Sequence, residues 1–495
     1  MRQQPKIGII QNSPLTADFS GNIRQIIQGY RECADHGADL VIAPAYGLSG
    51  AQLKDLANRS SFLHQINDAL EYLAQEVSGP PLLVASYISV NDLFLADYED
   101  EDNGDFDVTP TLATDENQGL LVPFLIEPGD ITELEDSEVV YVAGMKVYID
   151  LHDEEIGLED LTPDLIVHMG TCPWYATSAK EFEERHRFEA SENAIPVVSV
   201  KHVGASNGVI YGGGSAIYLP NGMVQTRLPF FTPMAKVCTI DGTITAKSLP
   251  SEVELLSEAL IIGIRDTVKN SGYEGVCFNL DSPYAELLAV LSAKALGSDK
   301  VYTLNFSEQE STVSTLGVNV KNIRLNDVCK DIADSIEEQK DQDLEKRIQN
   351  TTLITYADAN GLMPLTAITR HDIMTGNFVL YGNAGGYLAP LGNLYAMDAY
   401  LLSTYYKEQY PALFGTLQQP ASPEQDRIIH ELADKNIGAS SLLHDHLCPF
   451  EENSVRSIQR RIISSALKRT MLPVVLQVDK PRERMDIPFH HRLND

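Results

Sequence analysis

The sequence predicts an α/β protein built as two layered domains. Short apolar runs alternate with helical patterns through the first half, and the same rhythm returns in the second half. A polar, turn-rich stretch, T-I-D-G-T-I-T-A-K-S-L-P-S (239–251), separates the two halves. The boundaries expected from this pattern are 1–245 and 252–495.

Taken in order, I-G-I-I opens a strand, followed by a helix around Ile23 to Ala34, the strand L-V-I-A, a helix around Leu63 to Val77 and the strand L-L-V-A-S-Y. Strands follow at V-Y-V-A, K-V-Y-I, D-L-I-V-H-M and V-V-S-V-K, with a helix from about Ser178 to Asn193 before the last. Past the divider come an amphipathic helix from Glu252 to Ser271, the strand G-V-C-F-N-L, a helix ending at A-L-G and the strand V-Y-T-L-N-F. A highly charged helix is expected over Asn326 to Asn350. There is no internal repeat.

Composition narrows the function classes. With 37 Lys+Arg against 70 Asp+Glu the net charge is −33, so nucleic acid and anionic membrane surface are excluded as main partners, because both need clustered cations. The acidity itself reads as solubility. Six cysteines (Cys33, Cys172, Cys238, Cys277, Cys329, Cys448) lack pair spacing, which suits reduced thiols in a cytoplasmic chain. The N-terminus enters a strand pattern at once, leaving no room for a signal peptide, and no apolar run approaches the roughly 18 residues of a membrane helix. The acidic run at 97–107 places Pro110 where a calcium loop would close with Glu, so it reads as a solvated loop. His444-Asp-His-Leu-Cys448, even with His490 and His491 later, lacks the spacing of a structural zinc site, and no metal is expected.

Several motifs point to one family. The opening K-I-G-I-I-Q-N-S-P-L-T-A-D-F-S-G-N, the turn V-I-A-P-A-Y-G-L-S-G (41–50) and V-K-H-V-G-A-S-N-G-V-I-Y-G-G-G-S-A-I-Y-L-P-N-G (200–222) resemble the nitrilase-type amidase domain of glutamine-dependent NAD+ synthetase. The second half, with G-I-R-D-T-V-K-N-S-G-Y-E-G-V (263–276), L-Y-G-N-A-G-G-Y-L-A-P-L (380–391) and R-E-R-M-D-I-P-F-H-H-R (482–492), resembles its synthetase domain. The resemblance implies a nitrilase-like four-layer αββα domain followed by a Rossmann-like (adenine nucleotide alpha hydrolase-like) parallel-sheet domain. It also implies an activity: the first domain frees ammonia from glutamine with a Glu-Lys-Cys triad, and the second adenylates deamido-NAD with ATP and Mg2+ and lets ammonia displace AMP.

Carried over residue by residue, that chemistry is missing. Ala45 stands at the position of the Glu base and cannot accept a proton; His152 stands at the nucleophilic Cys. The lysine loop matches G-L-L-V-P-F-L-I-E-P-G-D-I (119–131), read as a shortened connection without any lysine. A rebuilt site using Cys172 with His152 as base is weighed and set aside in favour of a small buried cysteine, and His152-Asp153-Glu154 is read as a solvated turn. In the second half, the glycine-rich phosphate turn is replaced by Asp281-Ser282-Pro283: no glycine, one residue without an N–H, and a negative charge where a polyanion belongs. The Mg2+ segment matches A-I-T-R-H-D (367–372) and keeps a carboxylate at Asp372, the following lysines are lost in G-N-L-Y-A-M (392–397), and a family Asp is Asn383. Gly382, Gly385 and Gly386 read as turn requirements.

The expectation is therefore a catalytically degenerate homologue of glutamine-dependent NAD+ synthetase, a regulatory or scaffolding subunit that forms homo-oligomers or assembles with an active relative. No catalytic residue and no cofactor is assigned. The alternatives are an active NAD+ synthetase using free ammonia, with ATP, Mg2+ and deamido-NAD and residual Asp372, or a dinucleotide sensor without turnover.

Overall fold

The computed structural model describes residues 4–89, 119–151, 158, 161–170, 172–308, 311–337, 341–415, 417, 420 and 423–479. The acidic run at 97–107, His152 with Asp153 and Glu154, and the 482–492 segment with His490 and His491 lie outside the described residues. The chain divides into two compact units, one of residues 1–206 and 211–250, the other of residues 207–210 and 251–495.

The first unit holds two six-stranded sheets. One runs in the order Met234–Thr239, Lys6–Gln11, Leu40–Ala45, Leu82–Ser89, Gly119–Glu127, Asp130–Glu133; the other runs Val224–Arg227, Ala216–Tyr218, Val197–Ser199, Leu165–His168, Met145–Asp150, Val139–Val142. Their central strands are apolar on both faces because both faces are covered. Ile7, Ile9, Leu40, Ile42 and Leu83 of the first sheet pack against Val147, Ile149, Leu165, Val167 and Val198 of the second. Val41, Val84 and Ile10 point outward to helices Phe19–Asp35 and Ser60–Glu76, while Ile166 and Val197 meet Ala190 of helix Ser178–Asn193. The result is four layers, αββα, with the sequence alternation of each strand deciding which layer it feeds.

The segment read as a shortened lysine loop is a β-hairpin instead: Gly119–Glu127 pairs antiparallel with Leu82–Ser89, then turns into Asp130–Glu133. Pro123 and Pro128 hid the alternation that buries Val122, Phe124 and Ile126.

In the second unit four parallel strands run in the order Asn319–Asn322, Val301–Asn305, Gly275–Asn279, Leu362–Pro364. Helix Ala285–Leu296 joins Gly275–Asn279 to Val301–Asn305, and helix Gln342–Ala359 leads into Leu362–Pro364. Leu353 and Ala357 of the latter helix close over Cys277, Leu304 and Leu362. The charged helix expected over 326–350 is two helices, Asn326–Ser335 and Gln342–Ala359, because Asp341 caps the second by accepting the Leu344 N–H at 2.6 Å. A helical layer with its own core, including Ile373, Phe378, Ile428, Leu432, Val455 and Ile458, follows the sheet. No disulfide links the six cysteines; burial pushes the Cys33 and Cys277 thiols up to about 12, which keeps them protonated and inert.

Candidate functional site

Open parallel sheets bind ligands at the carboxyl ends of their strands, where the strand order reverses. In the second unit that point lies between Gly275–Asn279 and Leu362–Pro364, and the turn leaving the first of these carries Asp281, Ser282 and Pro283. The turn is closed on itself. Asn279 Oδ1 accepts the Asp281 N–H at 2.8 Å; Gln349, from helix Gln342–Ala359, donates to Asp281 Oδ2 and accepts from Asn279 Nδ2, both at 3.1 Å. Ser282 supplies its carbonyl to the Ala285 N–H, and Pro283 has no N–H to offer. The helix that follows has no side-chain cap and carries Glu286 in its first turn. Burial, then the neighbouring Glu345, raises the Asp281 carboxyl, and burial raises Glu286. A helix N-terminus that could cradle phosphate is fronted by acids.

Asp372 is also committed. It is the third residue of helix Arg370–Thr375, and its Oδ2 accepts from the Thr369 N–H (3.0 Å) and hydroxyl (2.8 Å), while Thr369 Oγ1 accepts the Asp372 N–H in return. Asn377 Nδ2 donates to Oδ1 at 3.2 Å. Oδ2 thus serves a capping box and Oδ1 holds the Asn377 side chain. Arg370 and Tyr395 turn to Asp434, His371 meets Asp426 at 2.7 Å, and Asp426 also accepts the Met397 N–H at 3.1 Å. Burial, reinforced by Asp426 and Asp479, raises the Asp398 carboxyl to about 6. Asn383 Oδ1 accepts the Val379 N–H at 2.8 Å and shapes its own turn. A Cβ on Gly385 would stand 2.1 Å from Asn350 Nδ2, so that glycine answers to packing. A cavity of about 650 Å³, lined by Arg265, Tyr273, Lys300 and Tyr302, opens at the opposite, amino end of the sheet, away from all of these groups.

In the first unit, Ala45 ends its strand fully buried, with its N–H on the Met169 carbonyl at 2.9 Å and its carbonyl accepting from His202. His202 is stacked on Tyr211 with ring centres 4.2 Å apart, and burial drives its pKa down to about 3, so it is neutral and a very weak base. Cys172 shares with His202, Lys201 and Tyr211 the lining of a cavity of about 30 Å³, room for about one water. Burial first, and the nearby Cys172 among lesser causes, raises Tyr46, Tyr175 and Tyr211, the last to about 12. Phenols held protonated by burial and a neutral imidazole surround the strand end. Ala45 lies in the first unit; Asp281, Ser282, Pro283 and Asp372 lie in the second, where the Asp372 charge bears on Tyr284, next to Pro283; His152 lies outside the described residues.

Residues 256–413 match the family model described as NAD synthase. Over most of its length the sequence aligns with curated relatives: it is 22% identical over 543 residues to the glutamine-dependent NAD(+) synthetase of Synechocystis, covering 95% of this chain and 96% of that one. It is 22% identical over 469 residues to that of Thermotoga maritima, covering 81% and 80%. The chain is a homologue of the glutamine-dependent NAD+ synthetases. The crystal structure of a glutamine-dependent NAD(+) synthetase from Cytophaga hutchinsonii superposes with a TM-score of 0.81 at 11% identity, over 98% of this chain and 97% of that one. The fold is thus a nitrilase-like domain followed by an NAD synthetase, Rossmann-like domain, as the motifs imply. Among the described residues no helix is long and apolar enough to cross a membrane.

Sequence reasoning missed Gln349, Asp426 and Asp434, whose importance is set by what they touch. It also passed over His168 and the pair His186 and Glu189, where H-x-x-E on a helix was the available signal.

Proposed function

We propose that this homologue of glutamine-dependent NAD+ synthetase has given up both half-reactions and works as a regulatory or scaffolding subunit, in oligomers of its own or with an active relative. The observation that carries the reading is the turn at the strand-order reversal. Asp281 there is bonded to Asn279 and Gln349 in the place of a glycine cradle, and Pro283 removes a donor. Polyphosphate binding at that turn would require breaking those bonds and bringing a polyanion against Asp281 and Glu286. Ala45 supports the same reading for the amidase half, since its methyl side chain cannot accept a proton and the neighbouring His202 is a very weak base. ATP, Mg2+ and deamido-NAD are accordingly left out of the function.

NAD+ formation by the full chain given deamido-NAD, ATP, Mg2+ and saturating ammonium tests the catalytic part, with glutamine substituted in a parallel reaction. No product above an enzyme-free blank is expected in either arm. Ammonium-dependent product would overturn the reading in favour of an ammonia-using synthetase with unrecognised nucleotide contacts. The subunit part is tested by affinity capture from native extract followed by size analysis. A stoichiometric synthetase partner or a defined homo-oligomer is expected, and a lone monomer would sink it.

A further inference from the structure

We propose that His168, His186 and Glu189 form a binding site for a divalent transition-metal ion of the zinc class, with Asp150 orienting His168 from behind. The site lies in the first unit. His168 ends strand Leu165–His168; His186 and Glu189 lie one turn apart on helix Ser178–Asn193, which packs on the outer face of the same sheet. One donor atom from each of the three residues falls within 4.8 Å of the others.

The hydrogen-bond geometry at His168 is the core of the argument. Its Nδ1 lies 2.6 Å from Asp150 Oδ2 and its Nε2 lies 2.7 Å from Glu189 Oε2. A neutral imidazole has one N–H, so it can donate to only one of these carboxylates. With Nδ1–H given to Asp150, the Nε2 lone pair faces a carboxylate oxygen, an arrangement that calls for a cation between them. A carboxylate behind a histidine whose far nitrogen carries the metal is the usual outer-shell arrangement of zinc sites.

Two further features favour a metal over a second proton on His168. The His186 ring stands 4.8 Å from the His168 ring, on the same helix face as Glu189 and fully buried, which adds the second imidazole that a zinc-class ion takes together with a carboxylate. Glu189 Oε1 is buried and, among the described residues, makes no hydrogen bond. Ligands at about 2.1 Å from a tetrahedral ion stand about 3.4 Å apart, so an entering ion parts Glu189 from His168 slightly and draws the wider donors in by about 1 Å. The Glu189 side chain is 11% exposed, which gives the ion its way in and leaves the fourth position to water. Such an ion would fasten the helix to two neighbouring strands, Leu165–His168 and Met145–Asp150.

The test uses the full chain. It is expressed with zinc, passed through gel filtration with a weak chelator and analysed for metal; a second sample is stripped and titrated with Co2+ while visible absorption is recorded. One zinc per chain is expected, with a Co2+ spectrum that saturates at one equivalent and is displaced by Zn2+. Asp150→Asn should weaken Co2+ binding about 10- to 100-fold, and Glu189→Gln and His186→Asn should each weaken it at least as much, with folding checked by circular dichroism. A folded wild-type chain that carries no zinc and gives no Co2+ absorption would overturn the proposal and leave a buried Asp150–imidazolium–Glu189 triad. Co2+ binding untouched in both Glu189→Gln and His186→Asn would overturn it equally, by placing the metal elsewhere. Because the wild-type measurement stands alone, a variant that fails to fold leaves the test intact.

Discussion

The carboxyl end of Leu40–Ala45 in the first unit and that of Gly275–Asn279 in the second are built in opposite ways. At the first, the polar group is absent. Ala45 is sealed among neutral partners, a histidine driven to about 3 and phenols held protonated by burial. At the second, polar groups abound but are spent on one another: Asp281 on Asn279 and Gln349, Asp372 on Thr369 and Asn377, Asp434 on Arg370 and Tyr395. On the function proposed above, the first strand end would have lost its polar group by deletion, leaving an apolar core, and the second by reuse, leaving a polar network that stabilises the fold.

The two routes respond differently to substitution. The largest effect is expected at the first strand end: Ala45→Glu puts a carboxyl into a fully buried position and should cost about 3–5 kcal/mol in urea unfolding at neutral pH. The loss should shrink as pH falls and the new carboxyl is protonated; a loss under about 1 kcal/mol at neutral pH would mean that the strand end still accommodates a charge. In the second unit, Gly385→Ala collides with Asn350 and should cost about 1–3 kcal/mol by the same measurement.

Asp398 sharpens the contrast through pH. Its folded pKa of about 6 lies above the ordinary carboxylate range, so the folded state holds this proton more tightly than the unfolded chain does. Stability from this group is therefore present at about pH 4 and is lost as pH rises towards 6. Asp398→Asn should gain about 1–3 kcal/mol relative to wild type between those pH values and stay level above them. A parallel pair of stability–pH curves would remove Asp398 from the network. The smallest effect is expected for Asp372→Ala, about 1 kcal/mol from the lost capping box, equal with and without Mg2+. A loss seen only with Mg2+ present would make Asp372 a metal ligand after all.

The layered architecture was legible because strands such as Leu40–Ala45 and helices such as Glu252–Asn270 carry their period, and a capping residue such as Ser251, in the sequence itself. The strand Gly119–Glu127 was illegible because two prolines interrupt a pattern that only its pairing with Leu82–Ser89 completes. The turn at Asp281 could be read as lacking glycine, but not as bonded to Gln349, which is 68 residues distant. His168 read as part of an apolar strand, and nothing near it in sequence announces Asp150 and Glu189 on its two nitrogens. Local period is written locally; a polar network is written by topology.

Equilibrium binding of radiolabelled ATP with Mg2+ to the full chain tests the central claim, that the strand-order reversal no longer makes a phosphate site. The account predicts no saturable binding up to millimolar nucleotide, with or without deamido-NAD. Saturable, stoichiometric binding in the micromolar range, weakened by substitution in the 281–283 turn, would contradict it.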